Sequence, residues 1–225
     1  MIYWIIGAGK FGSRAAVCLR EKDPEASITL VDSDPDTLKQ WKGLVATVLE
    51  DGIDFIVRRL NKKGGIANSD WIVPAIPVHI AHEWIRLTLD NGLNILSVPV
   101  PEALDALLPN PVRGRAGELY VSHATATCPE NCCEPPGVCM ATGKPRGTEL
   151  YQLLERVKLA DYRWVAVRSH QLAPGVGGYQ AKALCNARNE VGRSAGRVLI
   201  GTACSCHGVV HSFQIAKINN EATGM

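Results

Sequence analysis

The sequence predicts an α/β fold: a doubly wound parallel sheet with a C-terminal α/β extension that carries a cysteine-rich loop. Three observations predict it. The chain opens on a short apolar run, Ile2-Tyr-Trp-Ile-Ile6, that stops at a glycine cluster, as buried parallel strands do. Such runs then alternate with helix-like segments as far as Val98, the pattern of a parallel sheet covered on both faces. Beyond that point, six of the eight cysteines crowd into residues 128–139 and 204–206.

Taken in order, residues 2–6 form the first strand and 10–21 a helix with Phe11, Ala15, Val17, Cys18 and Leu19 near one side. Residues 27–31 form a second strand ending at Asp32. Ser33-Asp34-Pro35 opens the next helix, with proline tolerated in its first turn. Val45–Leu49 is a third strand and Ile53–Leu60 a helix that ends before Lys62-Lys63-Gly64-Gly65. Asp70–Pro74 is a fourth strand, 78–91 an amphipathic helix closed by Asn91-Gly92, and Leu93–Val98 a fifth strand. Residues 99–117, rich in Pro, Gly and Arg, form a surface connection. Glu118–Ser122 is a strand that runs through His123 into the cysteine loop. Then come a helix over 147–158, a strand over 162–169, a glycine-rich loop at 174–178 and a helix over 179–191. Residues 197–202 and 209–215 read as a hairpin with Cys204-Ser-Cys206-His207 at its tip. The division expected is a nucleotide-binding domain over 1–100 and an extension over 101–225.

Bulk composition excludes some functions. The 225 residues are 46% apolar, enough for a sizeable core, and 24 basic against 22 acidic residues leave a net charge of +2. That balance gives no electrostatic case for a nucleic-acid partner. No apolar run reaches the ~18–20 residues of a membrane span. The first residues are already an apolar strand, without the basic segment and cleavage site of a signal peptide, so a cytoplasmic protein is expected. Thiols in a reducing compartment are metal ligands or catalytic groups more often than disulfides. Cys18 and Cys185, inside helical segments, read as small apolar core residues.

Gly7-Ala8-Gly9-Lys10-Phe11-Gly12 lies between a predicted strand and a predicted helix, the context that gives G-x-G-x-x-G its meaning. Gly7 permits the tight turn, Gly9 lets backbone approach a pyrophosphate, and Gly12 lets helix and strand pack closely. The helix N-terminus offers N–H groups and partial positive charge to phosphates. Asp32, at the end of the second strand, is placed to accept hydrogen bonds from ribose hydroxyls. A carboxylate there repels a 2′-phosphate, so NAD(H) is the expected cofactor and a Rossmann-type sheet the expected frame.

Ile5-Ile6-Gly-Ala-Gly-Lys-Phe-Gly12 with Val31-Asp32-Ser-Asp34-Pro35 resembles the nucleotide-binding domain of Trk-type potassium-uptake regulators (TrkA-N, or RCK, domains). Residues 70–98, with Pro74-Ala-Ile-Pro77 and Asn91-Gly-Leu-Asn94, also look like saccharopine-dehydrogenase-type Rossmann domains. The resemblance covers about the first 100 residues. It implies NAD or an adenine nucleotide held by Gly7, Ala8, Gly9, Lys10, Phe11, Gly12, Asp32, Ser33 and Ala75. Asp51 is similar in place to an acidic residue after the third strand of that family, although this chain has Glu50-Asp51-Gly52 there. Homodimers are common among such domains, so a homodimer is an expectation from resemblance.

The loop Cys128-Pro-Glu-Asn-Cys132-Cys133-Glu-Pro-Pro-Gly-Val-Cys139 is polar and proline-rich. Thiolates bind soft or borderline metals, and four of them close a zinc site or hold an iron–sulfur cluster. Cys128 and Cys132 are one helical turn apart, and Cys139 returns after Pro135-Pro136-Gly137. The expected ligands are Cys128, Cys132 and Cys139, with Cys133, Cys204 or Cys206 as the fourth. The spacing matches neither paired C-x2-C zinc ribbons nor the ferredoxin run. An iron–sulfur cluster is favoured, with zinc and redox-active free thiols as alternatives. If the strands before all three loops joined one parallel sheet, the loops would share an edge and the metal would lie near the nicotinamide.

Among the histidines, His207 beside two cysteines is the better functional candidate. His123 reads as a strand-end residue and His211 as structural. His79 and His82 open a helix close to the expected nicotinamide position, with helix-start packing the simpler role. Pro174–Gly178 reads as a plain loop, and Arg58, Arg59, Lys62 and Lys63 as a solvated helix end. The expected function is an NAD(H)-binding redox protein, possible as an oxidoreductase or as an electron-transfer subunit with a redox protein partner. The alternative is a non-enzymatic NAD(H)-sensing module with structural zinc.

Overall fold

The structure, a computed structural model, describes residues 1–61, 70–89, 93–125 and 127–217. The run Lys62-Lys63-Gly64-Gly65 and the Asn91-Gly92 helix stop lie outside the described residues. The chain begins β1 (Ile2–Ile6), α1 (Lys10–Lys22), β2 (Ser27–Asp32), α2 (Pro35–Lys39), β3 (Ala46–Leu49), α3 (Gly52–Leu60), β4 (Asp70–Pro74) and α4 (Ile80–Thr88). It continues with β5 (Leu93–Val98), a 3-10 turn at Glu102–Leu107, β6 (Val112–Arg113), β7 (Leu119–Ser122) and α5 (Leu150–Arg156). Last come β8 (Tyr162–Arg168), β9 (His170–Ala173), β10 (Val176–Gln180), α6 (Ala181–Val191), β11 (Gly196–Ala203) and β12 (His207–Lys217).

Local chemistry accounts for the first half. In β1 every residue after Ile2 is buried, because both faces of the strand are covered. Asp34 caps α2 by accepting from the Asp36 amide at 2.8 Å, with Pro35 in the first turn. Asp51 caps α3 by accepting from the Ile53 and Asp54 amides. Strands β3, β2, β1 and β4 pair in that order, all parallel.

The strands form two mixed sheets. β10 runs antiparallel beside β4 and pairs with β9, which extends the first sheet to six strands in the order β3-β2-β1-β4-β10-β9. In the second sheet β12 is antiparallel to β11, and β11 is parallel to β8. The other edge of β12 is divided between β7, at His207–Val210, and β5, at Ser212–Lys217. One apolar core joins the sheets: Trp4, Ile6 and Ile72 of the first, Val198, Ile200 and Phe213 of the second, and Phe55, Trp84 and Leu184 from helices α3, α4 and α6. Helix α1 covers the opposite face of the first sheet with Ala15, Ala16 and Leu19. Helix α5 covers the outer face of the second with Leu150 and Leu154. Each large side chain so buried contributes on the order of 2 kcal/mol.

Several expectations need correction. The run Leu93–Val98 is a strand, but it pairs with β12 and not with the parallel sheet. Its half-exposed pattern, with Asn94 and Leu96 outward and Ile95 half-buried between them, suits an antiparallel edge; a parallel interior strand is buried on both faces. The expected loop at 174–178 is the tight turn and strand of a hairpin. Gly175 makes the turn at φ +69°, and a Cβ on Gly178 would stand 2.8 Å from the Ile72 carbonyl oxygen of β4. That glycine serves close strand packing. The helices at 78–91 and 147–158 shorten to α4 and α5, because His79 and Glu149 are extended and act as N-caps.

Candidate functional site

The fingerprint glycines have separable physical roles. Gly7 sits at φ +102°, and a Cβ there would meet the Ala75 carbonyl oxygen at 2.7 Å. A Cβ on Gly12 would fall 1.8 Å from the Gly7 oxygen, so only glycine lets α1 pack on the end of β1. Gly9 is different: its Cβ position faces open space, with no atom within 4 Å. It is the N-cap of α1 and supplies no side-chain cap. The first-turn amides of α1 therefore have no intrahelical or side-chain acceptor.

Asp32 stands at the end of β2 with one carboxylate oxygen accepting from the Ala8 amide at 2.6 Å and the other from the Asp34 amide at 2.9 Å. Its orientation is thereby fixed, and each oxygen retains a further lone pair. Ser33 beside it is exposed. Ala75 donates its amide to Ile6 at 2.8 Å and walls the crevice beside Gly7. Asp51 is accounted for by its capping of α3. Phe11 is 67% exposed. Lys10 reaches away from the helix end and ion-pairs with Glu130 of the cysteine loop at 2.5 Å, and Arg14 pairs with the same carboxylate at 3.0 Å.

The cysteine loop lies against α1 and the β9–β10 turn. The Cys132 carbonyl accepts from the Gly175 amide at 2.8 Å and from Gln171 Nε2 at 2.6 Å. A Cβ on Gly175 would stand 1.9 Å from the Glu130 carbonyl oxygen. The backbones thus meet at a position that is glycine for two reasons. Between them is a cavity of about 370 Å³, walled by Phe11 and Arg14 on one side and by Cys128, Cys132, Cys204 and Cys206 on the other, with His207 and Glu134.

The three loops do not follow strands of one parallel sheet, as the sequence argument supposed. β7 and β11 belong to the second sheet and flank β12 antiparallel. The loops meet because the described residues of the cysteine segment reach from His123, after β7, to Glu130 and Cys132 beside α1 and the β9–β10 turn. His123 helps hold that segment: its amide donates to the Cys206 carbonyl at 2.8 Å, and its Nε2 bonds the Thr148 carbonyl at 2.9 Å.

Inside the cavity His207 lies between two thiols, with Nε2 3.5 Å from Cys128 Sγ and Nδ1 4.0 Å from Cys204 Sγ. Burial, then the neighbouring Cys132, Cys139 and Glu134, raises the Cys128 thiol. Burial with Glu134 pushes Cys204 up to about 12. Burial lowers the His207 imidazole. A buried cation bonds one of these thiols: Arg146 donates from Nη1 to Cys206 Sγ at 2.8 Å and from Nη2 to Pro135 O and Glu149. Cys206 is still raised, by burial, against the opposing pull of Arg146.

Two of the expected ligands stand apart. Cys133 is exposed and contacts Met140 Sδ at 3.9 Å. Cys139 does not wall the cavity, and hydrogen bonds from Thr142 and Ala141 lower its thiol. Cys18 and Cys185 pack against the apolar cores, as expected. Among the described residues, no three His, Cys, Asp or Glu side chains stand as ligands of one ion. His207 illustrates why: its two thiol neighbours face opposite ring nitrogens, so one ion cannot join all three. Their spacing is not that of a closed metal site.

Sequence reasoning missed Arg146 and a cluster of three histidines. His79 Nδ1 lies 3.0 Å from His211 Nδ1, and His82 stacks on His211 with ring centres 4.1 Å apart.

By its matched length this chain belongs to the AF_1314_C family, described as "Uncharacterized protein, C-terminal domain", whose model matches residues 81–216. That span runs from α4 to the end of β12 and includes the cysteine loop, the hairpin tip, His82 and His211. An uncharacterized protein of Archaeoglobus fulgidus is 28% identical over 227 residues, covering 94% of this chain and 99% of its own. No solved structure matches the chain. Among the described residues, no helix is long and apolar enough to cross a membrane.

Proposed function

We infer that the protein is an NAD(H)-binding redox protein whose first sheet is a Rossmann-type frame and whose cysteine cavity holds a thiolate-bound metal, iron–sulfur in preference to zinc. One observation carries the reading: the fingerprint helix and four cysteines wall the same cavity of about 370 Å³. In support, Gly9 leaves space beside uncapped amides, Asp32 is fixed at the end of β2, and Cys128, Cys132, Cys204 and Cys206 line one cavity. A bound cluster would supply one-electron chemistry. The protein's own part is to place the thiols, to offset negative charge with Arg146, and to hold the dinucleotide beside them.

The second reading is an NAD(H)-sensing module with structural zinc, in the manner of the TrkA-N domains that the first 100 residues resemble. The observation favouring it is Glu130, which ties the cysteine loop to Lys10 and Arg14. A dinucleotide phosphate arriving at the start of α1 would compete for those cations and so move the loop.

Metal and sulfide analysis with a visible spectrum, on protein purified without oxygen and then titrated with NADH, separates the two. Iron with sulfide and saturable NADH binding is the expected result. Zinc with NADH binding selects the sensor, and the absence of both metal and NADH binding overturns the proposal.

A further inference from the structure

A second cavity, of about 410 Å³, opens beyond the C-terminal end of β4 on the side of the first sheet that faces α4 and the second sheet. Its walls are largely apolar, including Ile76, Pro77, Tyr179 and Val209, and His79 and Thr202 line it as well. Ligand sites have this size and make-up. Behind it stands the histidine cluster. His79 Nε2 is 2.8 Å from Thr202 Oγ1, and its Nδ1 is 3.0 Å from His211 Nδ1. His211 is stacked against His82, whose two nitrogens are engaged by Ser97 and Glu83 at 2.9 Å each.

We propose that Thr202, His79 and His211 form a proton relay serving this cavity, which takes a small, mainly apolar ketone or alcohol. The argument is one of atom count. Two neutral imidazoles facing each other through Nδ1 share one proton, so one ring donates and the other accepts. In the first arrangement Thr202 donates its hydroxyl proton to His79 Nε2, His79 Nδ1–H donates to His211 Nδ1, and His211 carries its proton on Nε2. In the second, His211 Nδ1–H donates to His79 Nδ1, His79 Nε2–H donates to Thr202 Oγ1, and the Thr202 proton is free to point into the cavity. Passing from the first to the second takes one proton from the ligand oxygen onto Thr202, moves the Thr202 proton to His79 Nε2 and the His79 Nδ1 proton to His211 Nδ1, and releases the Nε2 proton of the half-buried His211 to solvent, so every group is neutral before and after. The hydroxyl then serves a ligand oxygen as acceptor in the first state and as donor in the second.

The surroundings suit that exchange. All three rings are buried enough to stay uncharged: burial, then His211 and His82, lowers His79 well below its ordinary value, and burial lowers His82 and His211 too. The charged groups facing the cluster are Glu83 and Arg86 of α4 and Glu118 before β7. Glu83 is held by Arg86 at 2.7 Å. His82, packed between His211 and Phe213, is a positioning residue. The proton moved is the one that a carbonyl–alcohol interconversion must take up or release. That link to redox chemistry rests on the dinucleotide reading; the cavity and the relay do not.

The test uses uniformly 15N-labelled full-length protein, with the histidine ring nitrogens read by NMR during titration with acetophenone or 1-phenylethanol. Both probes bind at millimolar concentration and shift the His79 and His211 nitrogens, in opposite directions. The alcohol donates to Thr202 and favours the first state, and the ketone accepts from it and favours the second. Thr202→Val abolishes the response, and Thr202→Ser restores it. Failure of the probes to bind, ring nitrogens that stay fixed at saturation, or a full response in Thr202→Val overturns the relay. NADH affinity measured on the same samples keeps the readings apart. Its absence defeats the redox reading alone, and intact NADH binding without a probe response defeats the relay alone.

Discussion

The cysteine cavity and the histidine cluster both gather titratable side chains from distant parts of the chain, on different supports. The histidines stand on or beside regular elements: His79 caps α4, His82 is inside it, and His211 lies within β12. Both ring nitrogens of His79 and of His82, and Nδ1 of His211, are met by Thr202, Ser97, Glu83 or another ring of the cluster. The cysteines stand on a long loop and a hairpin tip, and burial, with Glu134, raises the thiols of Cys128 and Cys204. A cluster whose members satisfy each other keeps one charge state and can relay protons. In the cysteine cluster burial opposes ionisation of the thiols, and the buried Arg146 brings one positive charge to Cys206.

The largest expected effect comes from removing that charge. The Arg146 side chain is 2% exposed and joins Cys206, Pro135 and Glu149. Arg146→Met leaves those partners without their donor, a loss on the order of 3 kcal/mol for a buried, hydrogen-bonded ion. Urea unfolding reads the loss, and limited proteolysis places it in residues 127–149. A cost below about 1 kcal/mol would mean that Arg146 does not tie the loop to the hairpin tip. The histidine rings should keep their NMR signals, since no Arg146 bond reaches them.

Acid tests the other cluster. Folding lowers His82 from an ordinary 6.5 to about 4, with burial as the first cause. Between those values the unfolded chain binds more protons than the folded one, so stability is full above pH 6.5 and falls as the pH drops toward 4. Lowering the pH from 7 to 5 should cost on the order of 2 kcal/mol from His82 alone. Urea midpoints at the two pH values measure it, and His82→Asn should reduce the dependence, leaving the part due to His79 and His211. Equal stability at pH 7 and pH 5 would contradict the neutral, mutually bonded cluster.

What could be read from the sequence follows the range of the forces involved. The role of Gly12 and the caps at Asp34 and Asp51 depend on neighbours a few residues away, and strand and helix periodicity places β1 to β4 with little error. The hairpin β11–β12 was equally plain, because its strands adjoin in sequence. The sheet that β5 joins is set by a partner more than 100 residues on, and no local pattern distinguishes it beyond the half-polar alternation at Asn94 and Ser97. The histidine cluster joins residues separated by 132 positions. Its available signal was His82, three residues from His79 on the buried face of an amphipathic helix. Which cysteines face the cavity was hidden for a similar reason: the course of the loop, not the spacing of its cysteines, turns Cys128 and Cys132 inward and leaves Cys133 outside.

The smallest effect concerns the tie between the cysteine loop and the fingerprint helix, and it sharpens the contrast most. Lys10, Glu130 and Arg14 are 71%, 55% and 24% exposed at their side chains. Ion pairs of that exposure add little to stability and weaken with salt, so Glu130→Gln should leave the unfolding midpoint unchanged within error. Its consequence is local. With the carboxylate neutral, Lys10 and Arg14 are free for a phosphate at the start of α1, and NADH affinity should rise by less than about fivefold, most clearly at low salt. Fluorescence titration of NADH at two salt concentrations reads this. Unchanged affinity in a protein that otherwise binds NADH would mean that Glu130 and the phosphates do not share those cations. A rise would mean that nucleotide occupancy is felt at the cysteines, a coupling that the histidine cluster, bonded only within itself and to its own helix and strands, has no such exposed tie to provide.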